Sequence, residues 1–190
     1  MILILITVIA CTNGGEKAGL VNWVEDPANG LRSISQIENF QYDLQYQPNI
    51  YRSLGQYDEV NAELLDSLNS VKSELEYFML RITSLDQSKN VFEILKEYKI
   101  SKEDLIYHFS YKMQNVISLV RAGDTLAPVL YHYERSYGVR KEETFLMAFD
   151  LGKKKEVDSE MLLEINSRFL SRKKIVLDKV SSFVALDDIL

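Results

Sequence analysis

Cysteine and tryptophan each occur once in this chain of 190 residues, histidine twice, proline three times and glycine eight times. One cysteine cannot close an internal disulfide, so no disulfide framework supports the fold. So few prolines and glycines exclude a disordered or low-complexity chain. Basic residues are outnumbered: 22 Lys and Arg face 28 Asp and Glu, for a net charge of −6 and a pI near 5.1. That balance excludes the basic footprint of a nucleic-acid binder. No apolar run reaches the roughly 20 residues of a membrane-spanning helix. There is no internal repeat. No HExxH, CxxC, GxSxG or phosphate-loop pattern occurs, so the sequence assigns no catalytic residue, no metal ligand and no cofactor, and the expectation is a protein that is not an enzyme.

What is present is ordinary for a globular domain: 46% apolar and 26% charged residues. Eleven tyrosines and eight phenylalanines lean toward sheet. Residues Ile2 to Ile9 are nearly all aliphatic, and no charge follows until Glu16. This run matches the apolar core of a secretory signal, roughly 7 to 15 residues. Val8-Ile9-Ala10-Cys11 resembles the bacterial lipobox, which implies acylation of the Cys11 thiol and cleavage just before it. Several acyl chains on one residue anchor firmly where a single chain would not. The expected organisation is a signal peptide over 1–10, a lipidated flexible tether over 11–19 and one α+β domain over 20–190. Met1 is followed directly by Ile2, without the usual Lys or Arg, which departs from the signal pattern. The competing reading is a buried N-terminal strand with a core cysteine. Thr12, rather than Asp, after the cysteine resembles the enterobacterial pattern for transfer to the outer membrane. The lone acid of "TNGGEK" favours its periplasmic face over the cell surface.

Along the domain, Pro27 and Asn29-Gly30 mark a turn. Residues 39–48 alternate, with Phe40, Tyr42, Leu44 and Tyr46 on one face, and Pro48 ends the strand. Val60, Leu64, Leu68 and Val71 predict a helix over 57–72, followed by a strand near 75–83. A second helix is expected over 90–99, and Ser101 with Asp104 has capping chemistry. Residues 105–120 and 126–138, joined at Gly123-Asp124, read as a hairpin with His132 opposite Asn115. Residues 142–152 give a third strand, 160–180 one or two more, and 181–190 a short closing helix. The architecture is an antiparallel sheet with about two helices.

"WVEDPANGL", "LQYQP" and "GDTL…YHYERSYG" together resemble an uncharacterised small lipoprotein family of Bacteroidota, over roughly residues 20 to 150. The resemblance implies export and lipidation and no chemistry. The densest chemical stretch holds Tyr131, His132, Tyr133, Glu134, Arg135 and Tyr137. Aromatics beside a Glu–Arg pair can form a ligand or partner surface. The plainer reading is strand alternation, with the Glu–Arg pair pinning a turn. The acid pairs Glu142-Glu143 and Asp187-Asp188 are sequence neighbours, which face opposite sides in a strand. "GKKKE" (152–156) and "RKK" (172–174) read as solvated turns or edge gatekeepers, and Trp23 as a core anchor. Two function classes follow. One is a membrane-anchored accessory subunit that docks on an envelope protein partner. The other is a periplasmic ligand-binding protein, for example for glycans, or a hydrolase. The first calls for an exposed aromatic or apolar patch, the second for a pocket.

Overall fold

The computed structural model describes residues 15–58, 60–71, 74–121, 123–137, 140–152, 161–167 and 169–177. Cys11 with its lipobox-like stretch, the lysines 153–155 and the closing segment 181–190 fall outside the described residues.

The first element is a helix, α1 (Gly15–Glu25). It buries Leu20 and Val24, one turn apart, and packs Val21 and Trp23 against the core. Residues 15–19, expected to be tether, are therefore helical, and Lys17 Nζ donates to the Tyr57 carbonyl at 2.7 Å. Pro27 stops the helix. Asp26 accepts from the Ala28 amide (2.9 Å), Gly30 takes the left-handed conformation (φ 78°), and Asn29 Nδ2 covers the Trp23 carbonyl at 2.8 Å. The WVEDPANGL stretch is thus the device that turns α1 into the first strand.

That strand, β1 (Arg32–Ile37), opens an antiparallel five-stranded sheet with β2 (Phe40–Gln47), β3 (Leu75–Ser84), β7 (Glu142–Asp150) and β6 (Leu130–Glu134), in the order β1-β2-β3-β7-β6. β2 forms as its alternation demands: Phe40, Tyr42, Leu44 and Tyr46 are all buried. β3 alternates too, burying Glu76, Phe78, Leu80, Ile82 and Ser84. A second antiparallel sheet holds β5 (Asp124–Leu126), β4 (Ile117–Arg121), β8 (Met161–Ser167) and β9 (Ser171–Leu177), in the order β5-β4-β8-β9. The sheets meet where Lys173 Nζ on β9 pairs with Glu38 in the β1–β2 turn at 3.1 Å. Lys173 is buried, so this part of "RKK" is a tie between sheets and not a solvated gatekeeper; Lys174 pairs with Glu164 at 2.8 Å.

Four more α-helices are described: α2 (Asn49–Ser53), α3 (Ala62–Ser70), α4 (Val91–Lys96) and α5 (Lys102–Tyr107). The α+β class holds, with a second sheet and more helices than the expected two. α3 is shorter than the expected 57–72: Asn61 caps it, Leu65 and Leu68 carry its buried face, and Val71 is exposed. α4 opens on a capping box, Asn90 with Glu93, and α5 on Ser101, whose Oγ accepts from the Asp104 amide at 3.0 Å.

Two further expectations fail. Residues 105–116 are not strand: α5 runs into a π-turn over His108–Lys112 and a 3-10 turn over Met113–Asn115. Leu105, Phe109 and Met113, four apart and all fully buried, give the segment a helical core stripe that outweighs its strand-forming residues. Residues 126–138 also do not return along β4. Only Asp124–Leu126 pair there; the chain then crosses to the other sheet, where His132 opposes Leu146 and not Asn115.

Candidate functional site

β6 and the loop after it position the segment 131–137. Most of its polar atoms are spent inside the protein. Tyr131 Oη donates to the Phe109 carbonyl in the π-turn. A π-turn displaces carbonyls from their helical partners, and the phenol supplies one. Arg135 Nη2 donates to Ser110 Oγ at 3.3 Å, which ties the same turn to β6. Glu134 pairs with Arg140 at 3.5 Å, not with its neighbour Arg135. Tyr133 and Ser136 both donate to the buried carboxylate of Glu143 on β7, Ser136 at 2.7 Å. His132 and Tyr137 remain exposed; Tyr137 is 79% exposed and sits at φ 52°, a conformation a bulky side chain seldom adopts. The expected alternation over 131–134 is therefore present, and His132, Arg135 and Tyr137 are the exposed members of the segment.

Glu143 is fully buried, and burial pushes its carboxyl above the ordinary value, against the pull of the Tyr133 and Ser136 hydrogen bonds and the charge of Lys102. The same burial, with the carboxylate alongside, raises the Tyr133 phenol, so it stays a donor. Because the folded-state pKa lies above the unfolded one, folding favours the protonated acid. Its contribution is complete below the unfolded value and lost as pH rises through the folded one. A Glu143→Gln variant holds the neutral form at every pH. Relative to it, the wild type should lose stability as pH climbs from about 4.5 and then run parallel. Urea midpoints across that range check this, and two curves parallel throughout would contradict it.

The second cluster lies where the π-turn meets β8. His108 is buried, with Nε2 2.9 Å from Ser167 Oγ and its ring edge-on to Phe169 at 4.6 Å. Ser167 Oγ also accepts from the Phe169 amide at 3.2 Å. His108 thus ties the π-turn to β8, while His132 stands exposed on the other sheet. Among the described residues no group of three His, Cys, Asp or Glu side chains could hold a metal ion. Beside His108 an open cavity of about 320 Å³ is lined by Tyr107, His108, Lys112, Val116 and Asn166. A second depression of about 210 Å³ is lined by Asn115, Val116, Ile117, Ser118, Glu164 and Asn166. No sequence pattern singles these residues out. They come from segments some fifty positions apart, and the one local signal was the helical spacing of Leu105, Phe109 and Met113.

No protein-family model, curated protein or solved structure matches this chain. Its chemistry therefore has to be read from its own surfaces. The deep polar groups of segment 131–137 are spent in internal bonds, and the solvent-facing surfaces beside them are the outer side of β6 and the trough beside the π-turn.

Proposed function

We propose that this chain is a lipid-anchored envelope protein that serves as an accessory subunit, held to the outer membrane on its periplasmic face by acylated Cys11 and docked to a protein partner through β6. The resemblance to small lipoproteins of Bacteroidota supports the anchor. Among the described residues no helix is long and apolar enough to cross a membrane. The observation that carries the docking surface is the exposure of large apolar side chains around an outermost strand: Val129 is 61% exposed, Leu130 44% and Tyr137 79%, and β6 ends the order of its sheet. An unpaired strand edge offers backbone hydrogen bonds to an added strand, with neighbouring side chains giving specificity. The consumption of Glu143, Tyr133 and Ser136 in internal bonds supports binding over catalysis.

Site-specific photocrosslinking tests this. p-Benzoylphenylalanine at position 130 or 137 in the native host should give one discrete light-dependent adduct. The same group at Tyr98 should not, because Tyr98 lies by the opposite sheet edge, where its hydroxyl meets Asn39 at 3.3 Å. Equal adducts at all three positions, or none, would remove the docking surface.

A further inference from the structure

We infer that the trough between the π-turn and β8 is a binding site for a neutral saccharide. The trough consists of two depressions that adjoin at Val116 and Asn166. Its larger part, about 320 Å³, lies in the size range of small-ligand sites.

The lining chemistry selects the class. Tyr107 is about half exposed and forms an aromatic wall. Its ring is held by Tyr111, 5.5 Å away between centroids, and by the Lys112 ammonium 5.6 Å from its own centroid. The electron-rich face of such a ring attracts the C–H face of a sugar. Asn166 lines both depressions, and Asn115 and Ser118 line the smaller; the side chains of these three residues have no partner among the described residues. Each amide offers both donors and an acceptor, the complement of vicinal hydroxyls. The Glu164 carboxylate lines the same trough, oriented by Lys174 at 2.8 Å.

The trough is also fixed in place. The His108–Ser167 hydrogen bond clamps the π-turn to β8, and the Asn166 amide donates to the Val116 carbonyl at 2.8 Å, joining its two halves. A preformed site spends little of its binding energy on ordering. The inference is independent of docking at β6, which uses none of these side chains, and the two can fail separately.

Titration calorimetry of the full chain with cellobiose, maltose and N,N′-diacetylchitobiose tests it. At least one should bind with a Kd of about 1 mM or tighter, and its titration should shift the side-chain amide resonances of Asn115 and Asn166. Tyr107→Ala and Asn166→Ala should each weaken binding roughly tenfold, about 1.4 kcal/mol, while Tyr98→Ala leaves it unchanged. The proposal is overturned by no binding of any of the three sugars at tens of millimolar, by binding that survives both substitutions, or by displacement with phosphate or acetate, which would mark an anion site. The amide shifts need no variant, so a substitution that impairs folding leaves the test intact.

Discussion

Replacing Phe145 with alanine should cost about 4 kcal/mol of stability, the largest effect of any single truncation considered. Phe145 sits on β7 with no exposed surface. It stacks on Tyr133 at 5.2 Å and 22°, meets Phe109 edge-on at 5.4 Å and lies 6.3 Å from Tyr131. These three rings come from two separate parts of the fold, the π-turn and β6, so Phe145 is where both are fastened to the sheet. Removing it opens a cavity walled by rings that cannot close over it, because Tyr131 and Tyr133 are tethered by their hydroxyls. For a chain of this length such a loss lowers the melting temperature by roughly 10 °C. Phe145→Leu, which keeps much of the volume, should cost less than half as much. Thermal and urea unfolding of the three proteins check the order, and an alanine variant within 1 kcal/mol of wild type would contradict the role given to this ring.

The second large effect belongs to Asp43. On the other face of the same sheet, its carboxylate receives Arg32 as a two-pronged fork, Nε at 2.9 Å and Nη2 at 2.8 Å. Arg81 adds Nε at 3.1 Å and Nη2 at 2.9 Å. The Asp43 hydrogen bond is the main reason the Arg32 guanidinium is held above its ordinary pKa. Arg32 also reaches the Glu25 carbonyl at 3.1 Å, and the Glu25 carboxylate accepts from Tyr51 at 2.8 Å. The network therefore stitches the end of α1 to β1, β2, β3 and α2. Asp43→Ala leaves two partly sheltered guanidiniums facing each other without their common partner, and should cost about 3 kcal/mol. The double variant Asp43→Ala/Arg81→Met should be more stable than Asp43→Ala alone, because it removes the stranded charge. If the double variant is the weaker of the two, Asp43 acts through packing and not through charge.

How much of this was legible depends on which interaction fixes each element. Where local pattern and tertiary demand agree, the sequence sufficed. β2 alternates and is buried on its aromatic face, and Ser101 caps a helix as its spacing to Asp104 suggests. The reading went astray where aromatic residues served a helix. Tyr107, Phe109 and Tyr111 favour strands by propensity, yet the stripe of Leu105, Phe109 and Met113 decides the outcome because it is what the core can bury. The crossing at Pro128 was invisible for another reason. Nothing local tells the chain which of two sheets to join, and β6 is chosen by the fit of Tyr131 and Tyr133 against Phe109 and Phe145. The segment 131–137 is chemically dense in the sequence, but exposure cannot be read from residue type. Its acid partner, Glu143, lies across a hairpin, and burial turned most of the segment inward. The trough escaped notice because amides and a serine are unremarkable until a fold sets them around a tyrosine.

In the proposed function, acylated Cys11 holds the protein at a membrane while β6 meets a partner. Fractionation of native cells carrying wild type or Cys11→Ala, with metabolic labelling by an alkynyl fatty acid, tests that most directly. The wild type should sediment with membranes, carry the label and lack residues 1–10, while Cys11→Ala should be unlabelled and leave the membrane fraction. A wild-type protein that keeps its first ten residues and a bare thiol, or a Cys11→Ala variant still bound to membranes, would contradict it.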